Sequence, residues 1–271
     1  METLLLVIIQ HHLSNPAALQ LAISSLSSCD LKVTALFCPF VIQLRPTSFE
    51  SSPTQPGIVN QQLQSIIQHQ HFFKLCSSQS ADEVRGLLID LLSRLFNLHP
   101  HSTCQITHIV PLIKVYRGTL SNCDLQIFSI LQLFEKQRKL SVVPLLSSWS
   151  TTNNSASNSA LEALQSLDPT TVFLTCTNFP RWRRIHDSTL VMTNTTDSKL
   201  YDPVFLLLLF NQMMAEPLPS SSIAWLELLR TNVVSLFLRS LSAKDGQIRE
   251  LALCQTISLW RSLEVCLRAH V

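Results

Sequence analysis

Residues 201–210 read Tyr-Asp-Pro-Val-Phe-Leu-Leu-Leu-Leu-Phe, and this stretch decides the fold class. Asp202 followed by Pro203 is a typical helix start, because aspartate caps the free N–H groups and proline is tolerated at the first helical position. The residues that follow, 204–210, are apolar on every side of a helix. A helix of this kind is stable only when it is covered on all sides. The stretch therefore predicts a helix buried between neighbouring helices.

Four further helix starts are marked by polar residues, at Ser80, Ser121, Asp168 and about Asp245. Apolar residues follow the first two at the three-and-four spacing of an amphipathic helix. These stripes comprise Val84, Leu87, Leu88, Leu91, Leu92, Leu95 and Phe96, and then Ile127, Ile130, Leu131 and Phe134. We expect the first helix to end near Pro100 and the second at the basic stretch 136–139. The last helix gathers charged residues on one side, at Glu250, Arg261, Glu264 and Arg268, and is mostly apolar elsewhere. We therefore expect it to be the last layer of a stack.

The composition agrees with an all-helical protein. The chain has 271 residues, of which 46% are hydrophobic, with only 4 Gly against 13 Pro, a balance that favours helices ended by proline over β-turns. The net charge is +2 and charged residues make up 14%. A protein whose main partner is nucleic acid usually has a strong basic excess. The charge therefore favours protein partners.

Targeting and membrane signals are weak. The apolar run near Met1 is shorter than a signal-peptide core and lacks a basic start. The longest other run, 204–210, is far shorter than the ~18 residues that a membrane span needs. The eight cysteines are scattered without a CxxC pair, which is typical of reduced, buried thiols. We expect a soluble intracellular protein that binds no membrane.

The search for chemistry finds no motif for catalysis. The four glycines lie far apart, so a phosphate-binding loop and a dinucleotide fingerprint are both absent. His99, His101, Cys104 and His108 fall within ten residues, but their spacing matches no common zinc site. A polar loop between helices explains them equally well. We therefore predict no enzyme activity, no catalytic, cofactor-binding or metal-binding residue, and no small-molecule substrate.

Arg181-Trp182-Arg183-Arg184 is a candidate contact loop. Three guanidinium groups beside an indole are able to grip phosphates while the ring stacks on a base. The other interpretation is a solvated loop in which Trp182 is anchored in the core. The low net charge favours this second interpretation. The four residues are nevertheless the best candidate in the sequence for a contact with RNA or a partner protein.

Two helix starts resemble each other: Asp-Glu-Val-Arg-Gly-Leu from Asp82 and Asp-Gly-Gln-Ile-Arg-Glu-Leu from Asp245. An aspartate followed by Val or Ile and then Arg is similar to the second helix of a HEAT repeat. That similarity implies that Asp245 and Arg249 bridge adjacent layers, while Ile248 enters the shared core. Ordinary capping explains the aspartates too. The predicted fold class is an all-α, armadillo/HEAT-like α-solenoid of stacked antiparallel helix pairs.

From about Pro111 onward, the order of motifs resembles the C-terminal region of the nucleolar pre-ribosomal-associated protein family, also called the unhealthy-ribosome-biogenesis family. The blocks that carry this resemblance are Tyr116-Arg-Gly-Thr-Leu-Ser with Asp124 and residues 131–135, Leu140-Ser before Trp149, Asn178-Phe-Pro with Arg183-Arg184, the stretch 201–210, Leu241-Ser242, and Ile248-Arg249. The resemblance implies one continuous solenoid, with N-terminal helical layers over 1–110 and the family-like region over 111–271. It also implies that the chain corresponds to the C-terminal end of a longer protein, or to a diverged short form.

The family resemblance also implies a function. The expectation is a non-catalytic scaffold in the nucleolus, supporting early large-subunit particle assembly, pre-rRNA processing and the maturation of 5.8S and large-subunit rRNA. Its partners would be pre-ribosomal particle proteins and pre-rRNA. The motif residues are expected to be structural: Tyr201, Asp202, Pro203, Phe205, Leu206, Phe210, Ile248 and Arg249. Two alternatives stay open, a HEAT or armadillo adaptor outside the nucleolus and a helical metalloenzyme that uses the histidine cluster.

Overall fold

A computed structural model describes residues 56–69, 72–77, 82–150, 159–186, 197–219 and 221–269. Across these ranges the chain is mostly helical and contains no strand, and one isolated β-bridge joins Thr119 to Tyr201. None of the helices in these ranges is long and apolar enough to cross a membrane. The all-α prediction is confirmed for this part of the chain.

The helices have the following bounds: α1 (Pro56–Ile67), α2 (Phe72–Ser77), α3 (Asp82–Leu98), α4 (Pro100–Thr103), α5 (Ile109–Val115), α6 (Asn122–Arg138), α7 (Ala160–Gln165), α8 (Pro169–Thr177), α9 (Pro203–Ala215), α10 (Ser222–Arg230), α11 (Val233–Ser240) and α12 (Gly246–Ala269). Short 3₁₀ turns cover Ile106–His108, Val143–Ser148 and Asp197–Lys199. The predicted starts after Ser121, Asp168, Asp202 and Asp245 are confirmed. The predicted cap at Ser80 lies outside the described residues.

The described chain forms two compact units. The first contains the described residues up to Pro111 together with 130–140. In it, α1 packs on α3 and α4, and α2 packs on α3. The Phe96 ring lies edge-on to Phe134 and His108, with centroids 5.4 and 5.9 Å apart. Aromatic side chains thus form the centre of this unit.

The two predicted apolar stripes meet different outcomes. All four residues of the α6 stripe are buried. On α3, Leu92, Leu95 and Phe96 are buried, but Leu88 and Leu91 are only half-buried, whereas Ile89 is fully covered. The buried face is therefore turned from the predicted stripe, because leucines lie around much of this helix and periodicity alone did not choose among them.

The second unit contains residues 112–129 and 141–269 of the described chain. Its central helix is α9, which packs against the turn 143–148, α7, α11 and α12. The buried residues of α9 are Pro203, Val204, Phe205, Leu206, Leu207, Leu209, Phe210 and Met213. The prediction that this helix is buried between neighbouring helices is confirmed, with Leu208 half-buried and only its C-terminal part, at Asn211 and Ala215, exposed.

The prediction for α12 is confirmed for its charged side, where Glu250, Arg261 and Glu264 are exposed, and wrong for the extent of its apolar contacts. One face is buried, at Ile248, Ala252, Gln255 and Leu259. The apolar residues Leu253, Ile257, Trp260 and Val265 are exposed instead. Cys254 is exposed as well, so the expectation of buried cysteines fails there. The helix packs on α11 and α9, and these two neighbours cover a single face.

Candidate functional site

Asp202 combines a helix cap with a buried ion pair. Its carboxylate accepts a hydrogen bond from the N–H of Val204 at 3.0 Å, which caps α9. It also accepts two hydrogen bonds from Arg183, with Nε 3.0 Å from Oδ1 and Nη2 2.8 Å from Oδ2. The exposed fractions of the two side chains are 1% and 0%. This two-pronged geometry offsets the cost of burying both charges.

Arg183 is therefore part of the interior. Its guanidinium carbon lies 5.4 Å from the centre of the Phe128 ring, and its Nη1 also donates to the carbonyl of Arg184. The face of an aromatic ring attracts a cation. A side chain held by a carboxylate, a carbonyl and a ring does not reach the surface. Of the four residues in the predicted contact loop, Arg183 is thus unavailable to a partner.

The other residues of that loop lie at or near the surface. Arg181 and Arg184 are exposed. Trp182 is partly buried and packs against a cluster formed by Leu120, Leu125 and Leu200. The indole thus fixes the loop to the second unit, while two arginines stay accessible to solvent.

The loop is joined to the turn that precedes α12. The backbone N–H of Lys244 donates to the carbonyl of Arg181 at 3.0 Å, and Arg181 Nε donates to the carbonyl of Ser242 at 3.2 Å. The N–H of Ile185 donates to Asp245 Oδ2 at 3.2 Å. Two chain segments about sixty residues apart are therefore held together by three hydrogen bonds.

This junction gathers cations that lie far apart in the sequence. Lys244 and Arg249 are exposed beside Arg181 and Arg184, and we call these four residues the basic loop patch. Asp245 is the acid at the junction, and its carboxylate also accepts from the N–H of Gln247 at 2.8 Å. Sequence reasoning missed Lys244, because no local pattern links it to the arginines.

Ile248 and Arg249 differ in their placement. Ile248 is buried, as the HEAT-like echo implies. Arg249 instead donates from Nη1 to the carbonyls of Ala243 and Lys244, at 2.8 and 2.9 Å. These carbonyls belong to its own turn, so in the described contacts Arg249 supports the turn and does not reach an adjacent layer.

A second junction brings together two of the motif blocks. The N–H of Leu120 donates to the carbonyl of Leu200, and the N–H of Asp202 donates to the carbonyl of Gly118, both at 2.8 Å. Asp124 is fully buried and accepts from the N–H groups of residues 117 and 119, at 3.2 and 3.1 Å, and from the Thr119 hydroxyl. Asp124 was predicted only as part of a helix start, and it also fixes the preceding loop.

Aromatic rings fill the space behind this junction. Tyr116 and Trp149 both meet Phe205 edge-on, with centroids 4.9 Å apart in each case. Trp149 Nε1 donates to the carbonyl of Tyr116 at 2.8 Å. Burial, together with the nearby charges of Asp202 and Asp124, raises the pKa of Tyr116 well above its usual value. The phenol therefore stays neutral.

Gly118 allows the close approach of the backbone to Phe205. Its φ is +71°, and a Cβ at this position would lie 2.6 Å from Phe205 Cε1. Both the left-handed backbone and the missing side chain are needed here. Sequence reasoning quoted Gly118 within a motif without this role, and a glycine isolated among larger residues was the signal that could have suggested it.

The structural motif residues converge in the second unit. Tyr201, Asp202, Pro203, Phe205, Leu206 and Phe210 are all buried. The Tyr201 hydroxyl oxygen accepts from the N–H of Asp168 at 3.3 Å, and the Tyr201 N–H donates to Thr175 Oγ1 at 3.1 Å. Burial raises the pKa of Tyr201. These residues hold helices α8 and α9 in place.

The histidine cluster does not converge. Cys104 and His108 are buried, whereas His101 is exposed. His108 Nδ1 lies 3.0 Å from the carbonyl of Thr103, and burial lowers the pKa of this histidine. Burial raises the pKa of Cys104 to about 11, which disfavours the thiolate that binds metals. Within the described ranges, no group of three His, Cys, Asp or Glu side chains is placed to hold a metal ion.

The chain is similar to two curated mammalian proteins. It is 28% identical to nucleolar pre-ribosomal-associated protein 1 of Mus musculus over 227 residues, covering 73% of this chain and 10% of that protein. It is 27% identical to the Homo sapiens protein of the same name over 213 residues, covering 69% and 9%. The chain thus spans about a tenth of the length of the relatives it matches. No family model and no solved structure matches it. The two similarities support a relationship to the nucleolar pre-ribosomal-associated protein family, which the motifs had indicated.

Proposed function

We propose that this chain is a non-catalytic helical scaffold of the nucleolus. It supports assembly of early large-subunit particles, pre-rRNA processing and the maturation of 5.8S and large-subunit rRNA. The observation that carries this proposal is the similarity to two proteins that are named as nucleolar and pre-ribosome-associated. Pre-ribosomal particle proteins are the expected partners.

The geometry of the motif residues favours a holding role. Arg183 and Asp202 are buried and form an ion pair with each other. Asp124 is buried as well, and it accepts hydrogen bonds from backbone N–H groups. An ion pair enclosed in this way is suited to fixing a fold, because it is closed to substrates and water. The residues that resemble the family therefore position helices.

The proposed architecture is an armadillo/HEAT-like stack of antiparallel helix pairs. Support comes from helices that pack in sequence order, α10 on α11 and α11 on α12. Short connections between consecutive helices favour antiparallel neighbours. In such a stack each layer packs mainly on adjacent layers and presents side chains along a continuous surface.

The basic loop patch is the proposed contact with pre-rRNA. Its four residues, Arg181, Arg184, Lys244 and Arg249, are exposed on two hydrogen-bonded loops and the first turn of α12. The net charge of the whole chain is only +2. Local concentration of cations attracts phosphates even when the whole molecule is nearly neutral. Each arginine has further N–H donors beyond the bonds to its own loops.

The test uses the full chain carrying a small tag in cells. We expect nucleolar enrichment and co-sedimentation with large-subunit precursors, and a diffuse cytoplasmic signal would support the adaptor alternative instead. The triple variant Arg181→Gln, Arg184→Gln and Lys244→Gln should lose RNA crosslinking, with the salt slope of RNA binding reduced by about 0.7 for each lost phosphate contact on single-stranded RNA. Arg230→Gln, at an exposed position on α10, is the matched control.

The variant separates two parts of the proposal. Unchanged RNA crosslinking in the triple variant would remove RNA contact by this patch. If crosslinking is unchanged while co-sedimentation is lost, the patch contacts a protein of the particle. Absence of the unaltered chain from the nucleolus would overturn the scaffold role itself.

A further inference from the structure

Helix α12 presents apolar side chains on two opposite faces. One face is buried against α9 and α11. On the other face, the exposed fractions of Leu253, Ile257 and Trp260 are 51%, 43% and 72%. We call these three residues the outer seam. They are separated by four and then three residues, so they form one line along the helix.

A line of apolar residues with this spacing suits another helix. Residues at alternating three- and four-residue steps form the contact between two helices that lie nearly side by side. Trp260 is a large aromatic side chain, and such residues contribute much of the energy at interfaces. The outer seam is therefore shaped for helix packing.

Charged residues at the two ends of the outer seam indicate what covers it. Glu250 and Arg261 are both exposed. Glu250 lies one turn before Leu253, and Arg261 directly follows Trp260. They are separated by about 16 Å along the helix axis, at 1.5 Å per residue. Glu264, one turn beyond Arg261, is exposed too and lies outside the seam. Between Glu250 and Arg261 the helix thus runs from an acid at the start of the seam to a base at its end.

This arrangement is self-complementary in the antiparallel direction. When two copies of α12 cross between Gln255 and Thr256, Glu250 of each copy lies opposite the partner's Arg261. Leu253 and Ile257 of both copies then meet at the centre, and each Trp260 covers the partner's Leu253. A parallel pair would place acid against acid and base against base, which is unfavourable.

We infer that the outer seam of α12 binds a second copy of this chain in a two-fold symmetric, antiparallel contact. The interface is isologous, since the same surface patch serves both copies. It goes beyond the proposed scaffold role, because it assigns a self-association surface distinct from the basic loop patch. The contact brings two basic loop patches into one assembly.

The test is a charge-swap experiment on the full chain, followed by sedimentation velocity over a hundredfold range of concentration. The unaltered chain should show reversible monomer–dimer equilibrium. Glu250→Arg alone and Arg261→Glu alone should each weaken dimerisation by about tenfold or more, because two attractive pairs become repulsive. Trp260→Ser should weaken it at least as much.

Mixing the two charge variants provides the decisive result. In a mixed dimer both interchain pairs are again of opposite sign, so Glu250→Arg and Arg261→Glu chains should associate with each other about tenfold or more tightly than either associates with itself. All substituted positions are exposed, and far-UV circular dichroism checks that the helices are kept. Arg230→Glu on α10 should leave dimerisation unchanged.

Two outcomes would overturn the inference. One is an unaltered chain that stays monomeric throughout the concentration range. The other is a mixture of the charge variants that associates no better than either variant alone, which would show that the two residues do not face each other across a two-fold axis.

Discussion

Helices α9 and α12 are both rich in leucine, yet they use it differently. In α9 every residue from Pro203 to Leu207 is buried. In α12 the buried positions recur on one face, while Leu253, Ile257 and Trp260 are exposed. Since α9 has neighbours on several sides and α12 packs on α9 and α11, the number of neighbours decides which apolar residues are covered.

The comparison teaches that apolar character alone does not define a core. Removing apolar area from water stabilises a fold by about 25 cal/mol per Å², but only where other elements arrive to cover it. The caps reinforce the difference, because α9 begins at a buried ion pair and α12 begins at an accessible turn.

The largest effect is expected from breaking the start of α9. Asp202→Ala leaves the Arg183 guanidinium buried without its carboxylate, which should lower the free energy of unfolding by about 3–5 kcal/mol. Asp168→Ala is the matched control, because Asp168 also precedes a proline and caps a helix but is exposed. It should cost about 1 kcal/mol. Urea unfolding measures both, and equal losses would show that the ion pair adds nothing.

Matched leucine truncations compare the two helices directly. Leu209→Ala on α9 should lower the free energy of unfolding by about 2–5 kcal/mol, because it leaves a cavity. Leu253→Ala on α12 should change it by less than about 0.5 kcal/mol in the monomer. Chemical unfolding at low protein concentration tests this. Similar values for the two variants would contradict the contrast in burial.

Gly118→Ala tests the close contact between the Gly118 backbone and Phe205 of α9. The new methyl group meets the Phe205 ring and the backbone is left-handed, so we expect a loss of about 2 kcal/mol. Gly57→Ala is the control, because nothing lies within 4 Å of a Cβ there. In helix α1 that change should stabilise by about 0.5 kcal/mol. Thermal unfolding of both variants gives the comparison.

Thiol labelling gives the smallest and most local readout. Cys254 on the outer face of α12 should react rapidly with a maleimide, since it is exposed. Burial raises the pKa of Cys176 to about 11, so at pH 8 only about one molecule in a thousand carries its thiolate. Peptide mapping by mass spectrometry after brief labelling should find Cys254 modified and Cys176 intact. Labelling of Cys176 as fast as that of Cys254 would contradict its partial burial and raised pKa.

Much of the second unit could be predicted from local patterns. The Asp-Pro starts at Asp168 and Asp202 and the burial of 203–210 follow from capping and from an apolar surface on all sides. These features depend on residues adjacent in the chain. Where neighbouring residues alone determine a helix start or its burial, the structure agrees with the prediction.

Other features depend on partners far away in the sequence. Arg183 was grouped with two exposed arginines, because its ion-pair partner comes nineteen residues later. Lys244 is brought beside Arg181, about sixty residues away, by the hydrogen bond from its N–H to the carbonyl of Arg181. The charged side of α12 could be predicted, but the exposure of the apolar residues beside those charges could not, since only tertiary contacts decide it.

The junction between Gly118 and Asp202 also has a kinetic consequence. These two segments lie about eighty residues apart, so their hydrogen bonds form only after a long loop has closed. Contacts of large sequence separation slow folding. During synthesis, the ring cluster around Tyr116 is therefore completed only after Phe205 has emerged from the ribosome.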